Sequence, residues 1–529
     1  MVLLSACAAP VLSPAGHPIP VYGGELVLTD EDDYRLLDPA VAYDERSWHA
    51  EWMIFDTLVR YDAQLHLVPM LASAWERSPD GTVWTFHLRD DVHFHNGRRM
   101  VAADVVYSWT RLFDPALASP GADFFGSIVG AQAVLAGAAP TVQGLAAPDD
   151  TTFVVTLSEP DPVFLSVVAM MFGAVVPKEE VEARGTEWSW HPVGTGPFSV
   201  ESWDLGEKTV FAANRDYWGD TPYVDRVVHL SGYPWSVQFL KLEAGELHQV
   251  DRLSAPDYLW IRQDPVWSRQ LVLTPQIDSY GEMMNTEMAP FTDVWFRRAV
   301  SSAIDREKLK RIRNGRLLPS SSWLPPLIAG YEEGLPYQTF DVDVARACME
   351  KAGFPHGYPD PISYMTLTDE SSRLTSQSIQ QDLAAIGIQL EIQNVTFPVY
   401  LTATGRRNTV RFSRTAWSMD YPHPSNFLET RFACQNISEE NSNNDAFYCN
   451  PEVDALFAAA RTELDPDAQT ELYRRAHRIL AADAPYAFEY HSIVTTVTHP
   501  VLRDYVPDPI YNRDVRRVWL DLPGGRSAP

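Results

Sequence analysis

The run from Arg411 to Trp417 reads as a strand, with Phe412, Arg414 and Ala416 on one face and Ser413, Thr415 and Trp417 on the other. Pro422 and Pro424 stop it, because proline supplies no N–H to a strand ladder. The run Trp417-Ser418-Met419-Asp420-Tyr421 therefore sets a carboxylate among aromatic rings where a strand gives way to a loop. A carboxylate so placed is poorly hydrated. It recovers its solvation by meeting a cation that carries hydrogen-bond donors, and a primary ammonium fits. The competing role for Asp420 is to cap a turn or pair with a nearby arginine.

The same pattern places other elements. A short strand starts at Glu25 and leads into Asp38-Pro39, and helical periodicity runs from Ser47 to Leu58. The turn Ser78-Pro-Asp-Gly81 precedes a strand over Trp84 to Arg89, and Val92 to Gly97 reads as another strand and turn. Ala102 to Leu112 is a helix with Asp104 favourably placed near its positive end, and its Tyr107 and Trp109 read as core. Helices are also expected over Val344 to Gly353 and Gln469 to Ala482, and a strand over Gln276 to Asn285 carries Tyr280 and Glu282.

With 529 residues, the chain has room for roughly three or four domains. A net charge of −28 argues against nucleic acid as a partner, since phosphate binding needs a basic face. The 16 Trp and 22 Tyr exceed packing needs, and some are expected to line a cavity. Leu3-Leu4-Ser5-Ala6-Cys7 resembles the lipobox of bacterial lipoproteins, with Cys7 as the lipidated residue and Ala8 to Gly24 as a tether. Cys434 and Cys449 bracket a polar, Asn-rich loop and are expected to pair in an oxidising compartment, while Cys348 reads as a buried thiol. No Cys or Cys/His spacing suggests zinc. His93 and His95 share a strand face at a spacing that could ligate metal, but no third ligand accompanies them. Gly194-Thr-Gly-Pro197 lacks the Lys-Ser/Thr of a phosphate loop and reads as a turn. The Gly-x-Ser-x-Gly and His-Glu-x-x-His motifs of hydrolases are missing, so no enzyme is expected.

Several of these motifs occur in one order: Trp84-Thr-Phe-His-Leu-Arg89, His95-Asn-Gly97, Ala103-Asp-Val-Val-Tyr-Ser-Trp109, Pro192-Val-Gly-Thr-Gly-Pro-Phe198, Asn214-Arg-Asp-Tyr-Trp218, Pro290 to Val300 and Ala303-Ile-Asp-Arg306. Over about Glu25 to Asp521 the chain resembles the extracytoplasmic oligopeptide- and dipeptide-binding proteins of ABC importers, family 5. The resemblance implies an α/β fold of the periplasmic-binding-protein kind. Two lobes are joined by a hinge, with an extra domain inserted in the first, and the lobes close on a ligand held in the cleft between them. By this likeness 1–21 is the signal remnant and tether, and lobe one comprises 22–55, 190–283 and 503–529. The inserted domain is 56–189, and lobe two is 284–502. Asp420 matches the residue that anchors a peptide's amino terminus, with Trp417, Ser418 and Tyr421 around it. Arg414 matches an arginine that reads the carboxyl terminus, Arg407 or Arg406 lies near a second, and Tyr280 and Glu282 border the cleft. The family's glutamates near Ala42 to Asp44 are not reproduced. The implied function is capture of peptides and delivery to importer permease subunits, by a monomer without cofactor, in the periplasm or at the cell surface. The alternative is the same fold binding a metal chelate, opine, sugar or antibiotic.

Overall fold

The computed structural model describes residues 19–510, 514–522 and 526–527, so Cys7 lies outside the described residues. The chain forms two compact units, one built from residues up to Thr274 and from Thr495 onward, the other from Pro275–Val494. It passes from one to the other after Thr274 and returns after Val494, where the pattern had placed the changes at 283 and 502. The difference has a local cause. The strand Asp278–Met284 is hydrogen-bonded on both sides to strands of the second unit, so the whole of it belongs there.

In the first unit a four-stranded sheet has the order Glu25–Thr29, Arg226–Leu230, Lys208–Ala213, Phe198–Asp204, its first pair parallel and the others antiparallel. Leu26, Leu28, Ile54, Phe55, Phe198, Phe211 and Val227 form the core beside it. The helix Glu45–Ile54 starts at Asp44, whose carboxylate accepts from the Ser47 amide. Its end sets the need for glycine in the Gly-Thr-Gly-Pro turn: a Cβ on Gly194 would sit 2.0 Å from the Ile54 carbonyl oxygen, and one on Gly196 2.5 Å from that of Met53. His95 joins the same turn. Its Nδ1 accepts from the Gly194 amide (3.2 Å) and its Nε2–H donates to the Gly196 carbonyl (2.9 Å), while burial pushes its pKa down to about 4. Both ring nitrogens are thus occupied, and His93 is exposed on a single bridge to Arg99 rather than on a strand.

The segment read as an inserted domain carries its own antiparallel sheet in the order Ala72–Arg77, Val83–Leu88, Thr152–Thr156, Leu145–Asp149. Trp109 of the helix Ala102–Arg111 lies among Phe125, Phe153 and Phe164 and donates its indole N–H to the Gly173 carbonyl at 3.1 Å, a core role. Tyr107 is half-buried.

The second unit is organised on Asp278–Met284, which runs antiparallel to Phe412–Ser418 on one side and to the first residues of Tyr486–Thr498 on the other. Ile362–Leu367 and Leu390–Val395 extend the sheet in parallel, and Leu317–Pro319 covers the outer edge of Tyr486–Thr498. Helices Val294–Ala303, Val342–Lys351 and Glu370–Ala384 bury Phe296, Val300, Met349 and Ile379 with Ile362, Tyr364 and Phe412. Cys348 is a buried thiol here, and Cys434 is bonded to Cys449 across a separation of 15 residues.

Closing a loop of that length removes unfolded-chain entropy worth ~3 kcal/mol. Reduction should therefore lower the melting temperature by several degrees, and alkylation of the unreduced, denatured protein should label Cys348 without labelling Cys434 or Cys449. Labelling of all three would refute the bond.

Candidate functional site

The register across the central strands decides what Arg414 meets. Arg414 stands opposite Glu282, and Ala416 opposite Tyr280. The next strand brings Glu489 and Tyr490 to the same face. Nη1 of Arg414 lies 3.5 Å from Glu282 Oε1 and 3.3 Å from Glu489 Oε2, while Nη2 donates to the Tyr490 hydroxyl. Tyr280 and Tyr490 stack with ring centroids 4.9 Å apart, and the guanidinium lies 5.4 and 5.5 Å from them. Arg414 is 7% exposed and both glutamates 0%, so water does not screen this cluster. Burial, then the adjacent Glu489 charge, pushes the Glu282 carboxyl well above its ordinary range, with Arg414 opposing. Burial also raises Glu489, again against Arg414. Burial thus favours the protonated form of both carboxyls, against the pull of Arg414.

The other face of Phe412–Ser418 meets the helix Pro424–Phe432. Arg431 near the end of that helix lies 5.2 Å from the Trp417 ring centroid, donates to Thr415 Oγ1 (3.0 Å) and pairs with Asp445 (2.6 Å). At the start of the helix His423 accepts from the Ser425 amide through Nδ1 (3.2 Å) and reaches Gln469 Oε1 through Nε2 (3.1 Å). Burial pushes its pKa down to about 4, so at neutral pH Nε2 carries the proton and donates it to Gln469.

Between these elements sits the half-buried Asp420. Asn426, 1% exposed, accepts at Oδ1 from the Asp420 amide (2.9 Å) and the Trp417 indole (3.1 Å) and donates from Nδ2 to Asp420 Oδ2 (2.7 Å). Tyr421 reaches Ser425 Oγ at 3.2 Å, and Ser418 is exposed where the strand ends.

The structure thus gathers Asp420, Trp417, Tyr421 and Ser418 at one corner and places Arg414, Glu282 and Tyr280 in a separate buried cluster. Arg414, expected to read a ligand carboxylate, lies here against two protein carboxylates that the strand register supplies. Arg407 is likewise held by Glu287 (2.8 Å from Nε) and Glu439 (3.0 Å), and Arg406 lies 3.3 Å from Glu440. Glu489 and Asn426 were not singled out from sequence. Glu489 is 75 residues from Arg414 and carries no local signal. Asn426 had one, since it follows Asp420 by six residues inside the first turn of a Pro-started helix. Among the described residues, the one cluster with metal-ligand spacing is Cys434, Cys449 and Asp454, whose sulfurs are bonded to each other.

This architecture is that of two-lobe α/β solute-binding proteins. A periplasmic binding protein from Helicobacter pylori, "ABC transporter-associated periplasmic binding protein DppA", solved in complex with the peptide STSA, superposes with a TM-score of 0.78 at 28% identity, covering 95% of this chain and 99% of that one. The profile of bacterial extracellular solute-binding proteins, family 5 (middle region) matches residues 66–439, and the chain belongs to that family. The periplasmic oligopeptide-binding protein OppA of Salmonella typhimurium is 28% identical, over 94% of this chain and 92% of its own. Heme-binding protein A of Haemophilus influenzae is 27% identical, over 89% and 88% respectively.

A carboxyl whose pKa is raised on folding binds its proton more tightly in the native state, so stability falls as pH climbs from the ordinary glutamate range toward the folded value. Glu282→Gln supplies a neutral side chain and should lessen that slope, to which Glu51, Asp56 and Glu489 also contribute, at a cost within ~1 kcal/mol at neutral pH, whereas Arg414→Ala leaves buried acids without this cation and should cost about 3–5 kcal/mol. Urea unfolding between pH 5 and 8 measures both, and a Glu282→Gln loss as large as that of Arg414→Ala would refute the protonated state.

Proposed function

We propose that this protein captures peptides outside the cytoplasmic membrane by their free amino terminus, which Asp420 receives, and passes them to the membrane subunits of an ABC importer. The observation that carries the reading is the carboxylate of Asp420, half-buried at a strand end and held in one orientation beside the Trp417 indole. Such a group binds an ammonium well because little water is lost and the acceptor is already aimed. Ser418 and Tyr421 add hydroxyls and a ring to the same corner. Every peptide presents this terminus and the same backbone donors and acceptors, so one anchor serves many sequences. The names of the oligopeptide-binding relative and of the peptide-bound neighbour support the assignment.

The protein acts as a monomer in this reading, and Cys7 in its lipobox-like run is the proposed point of lipid attachment; that run lies outside the described residues. A non-peptide solute is the second reading, favoured by the heme-binding relative.

Native mass spectrometry of the protein as purified separates the two readings. A ladder of short peptides is the expected cargo, and a single non-peptide mass would overturn the peptide assignment. Asp420→Ala should weaken binding of free-amine peptides by about 10- to 100-fold, the value of a charge-assisted hydrogen bond, and should lower the melting temperature by a few degrees because the Asn426 amide loses its acceptor, with the fold still native by circular dichroism. Unchanged affinity in calorimetry would remove Asp420 from the site.

A further inference from the structure

The side-chain amide of Asn426 joins three groups of the Asp420 corner, and its orientation follows from their chemistry. The Asp420 amide and the Trp417 indole are both obligate donors, so the Asn426 atom facing them at 2.9 and 3.1 Å is the carbonyl oxygen. Its two lone pairs are then used, and the NH₂ group is left facing the Asp420 carboxylate, 2.7 Å from Oδ2. The residue is 1% exposed, so water does not substitute for any of these bonds. Its own backbone is fixed as well: the Asn426 amide donates to the His423 carbonyl at 3.1 Å, and the next residue's carbonyl accepts from the Trp323 indole at 3.2 Å.

We infer that Asn426 is the positioning residue of the ligand site: it sets the rotation of the Asp420 carboxylate and the Trp417 ring together, and so determines how strongly a primary ammonium is preferred over a blocked amine. This rests on the assignment of Asp420 as the ammonium anchor. Because the indole N–H is spent on Asn426, Trp417 offers a ligand its ring, and Asp420 supplies the charge. A carboxylate held by a donor on one oxygen does not turn to follow a ligand, and binding then costs less ordering. An acetylated amine lacks the charge that rewards this alignment, so removing Asn426 penalises the free amine selectively.

The test uses the full chain, with di- to pentaalanine and the same set N-acetylated as probes, in calorimetry at neutral pH. Three variants are compared with wild type: Asp420→Ala, Asn426→Ala and Asn426→Asp. The aspartate keeps the acceptor for the indole and the backbone amide and replaces the donor by a repelling oxygen, so it isolates the bond to Asp420 while preserving the turn. Wild type is expected to prefer the free amine at least tenfold. Both Asn426 variants are expected to lower that preference about tenfold with less than a twofold change for the acetylated set, at temperatures where circular dichroism is native. If both Asn426 variants keep the wild-type preference, or lose affinity for the two sets in parallel, while Asp420→Ala loses the preference, Asn426 is structural only and the inference is overturned. If wild type shows no preference, or Asp420→Ala retains it, the anchor assignment itself falls and takes this inference with it.

Discussion

A guanidinium withdrawn from water has to be met by opposite charge inside the fold, and the second unit is arranged around that requirement. Arg414 lies on the central pair of strands, with Glu282 across one ladder and Glu489 on the strand beyond. Removing an ion from water costs several kcal/mol, which close counter-charges and hydrogen bonds offset. Glu489 also feels the buried Arg306, so two acids meet two cations in this dry interior, while burial pushes both carboxyls toward their protonated forms. The stacked tyrosines close the cluster with polarizable ring faces. The cluster is satisfied in one register alone, because a slip of one residue would turn Arg414 to the opposite face.

Strand periodicity carries this constraint to the ligand corner. With Arg414 fixed on one face, Thr415 and Trp417 must point to the other, toward the helix Pro424–Phe432. Arg431 and Asp445 hold Thr415 and the indole there, and Asn426 fastens the residues just past the strand.

The strand Phe412–Ser418 was legible to within one residue at each end from its residue types and the prolines that follow it, and the face of each side chain then follows from the period of two. The carboxylate among aromatics was legible for the same reason. What Arg414 faces was not, since its partners come from strands 132 and 75 residues away and are set by tertiary pairing. The expectation that Arg414 reads a ligand came from the family likeness, since an arginine on a strand looks the same with or without a buried acid opposite. His93 and His95 differ from the expected strand: His93 sits on an isolated bridge and His95 in a turn. The family likeness identified the fold over nearly the whole chain.

Recognition of many peptides by one site asks for two opposed mechanical properties. The groups that meet the shared terminus have to be rigid, since an ammonium gains most from a carboxylate that needs no reorganisation. The surroundings of variable side chains have to be forgiving, which rearranging water provides at little cost. The described corner shows how the rigid part is made: a strand end, a proline-started helix and a neutral, capped His423 converge on a single buried amide. Buried neutral donors suit this purpose better than further charges. In the proposed reading, Asn426 orients the Asp420 carboxylate through a neutral donor. The negative charge of the whole protein acts in the same direction, raising the local concentration of cationic termini at low ionic strength. Selectivity for the free amine then follows from placing one carboxylate accurately, with no need for contacts that depend on peptide sequence.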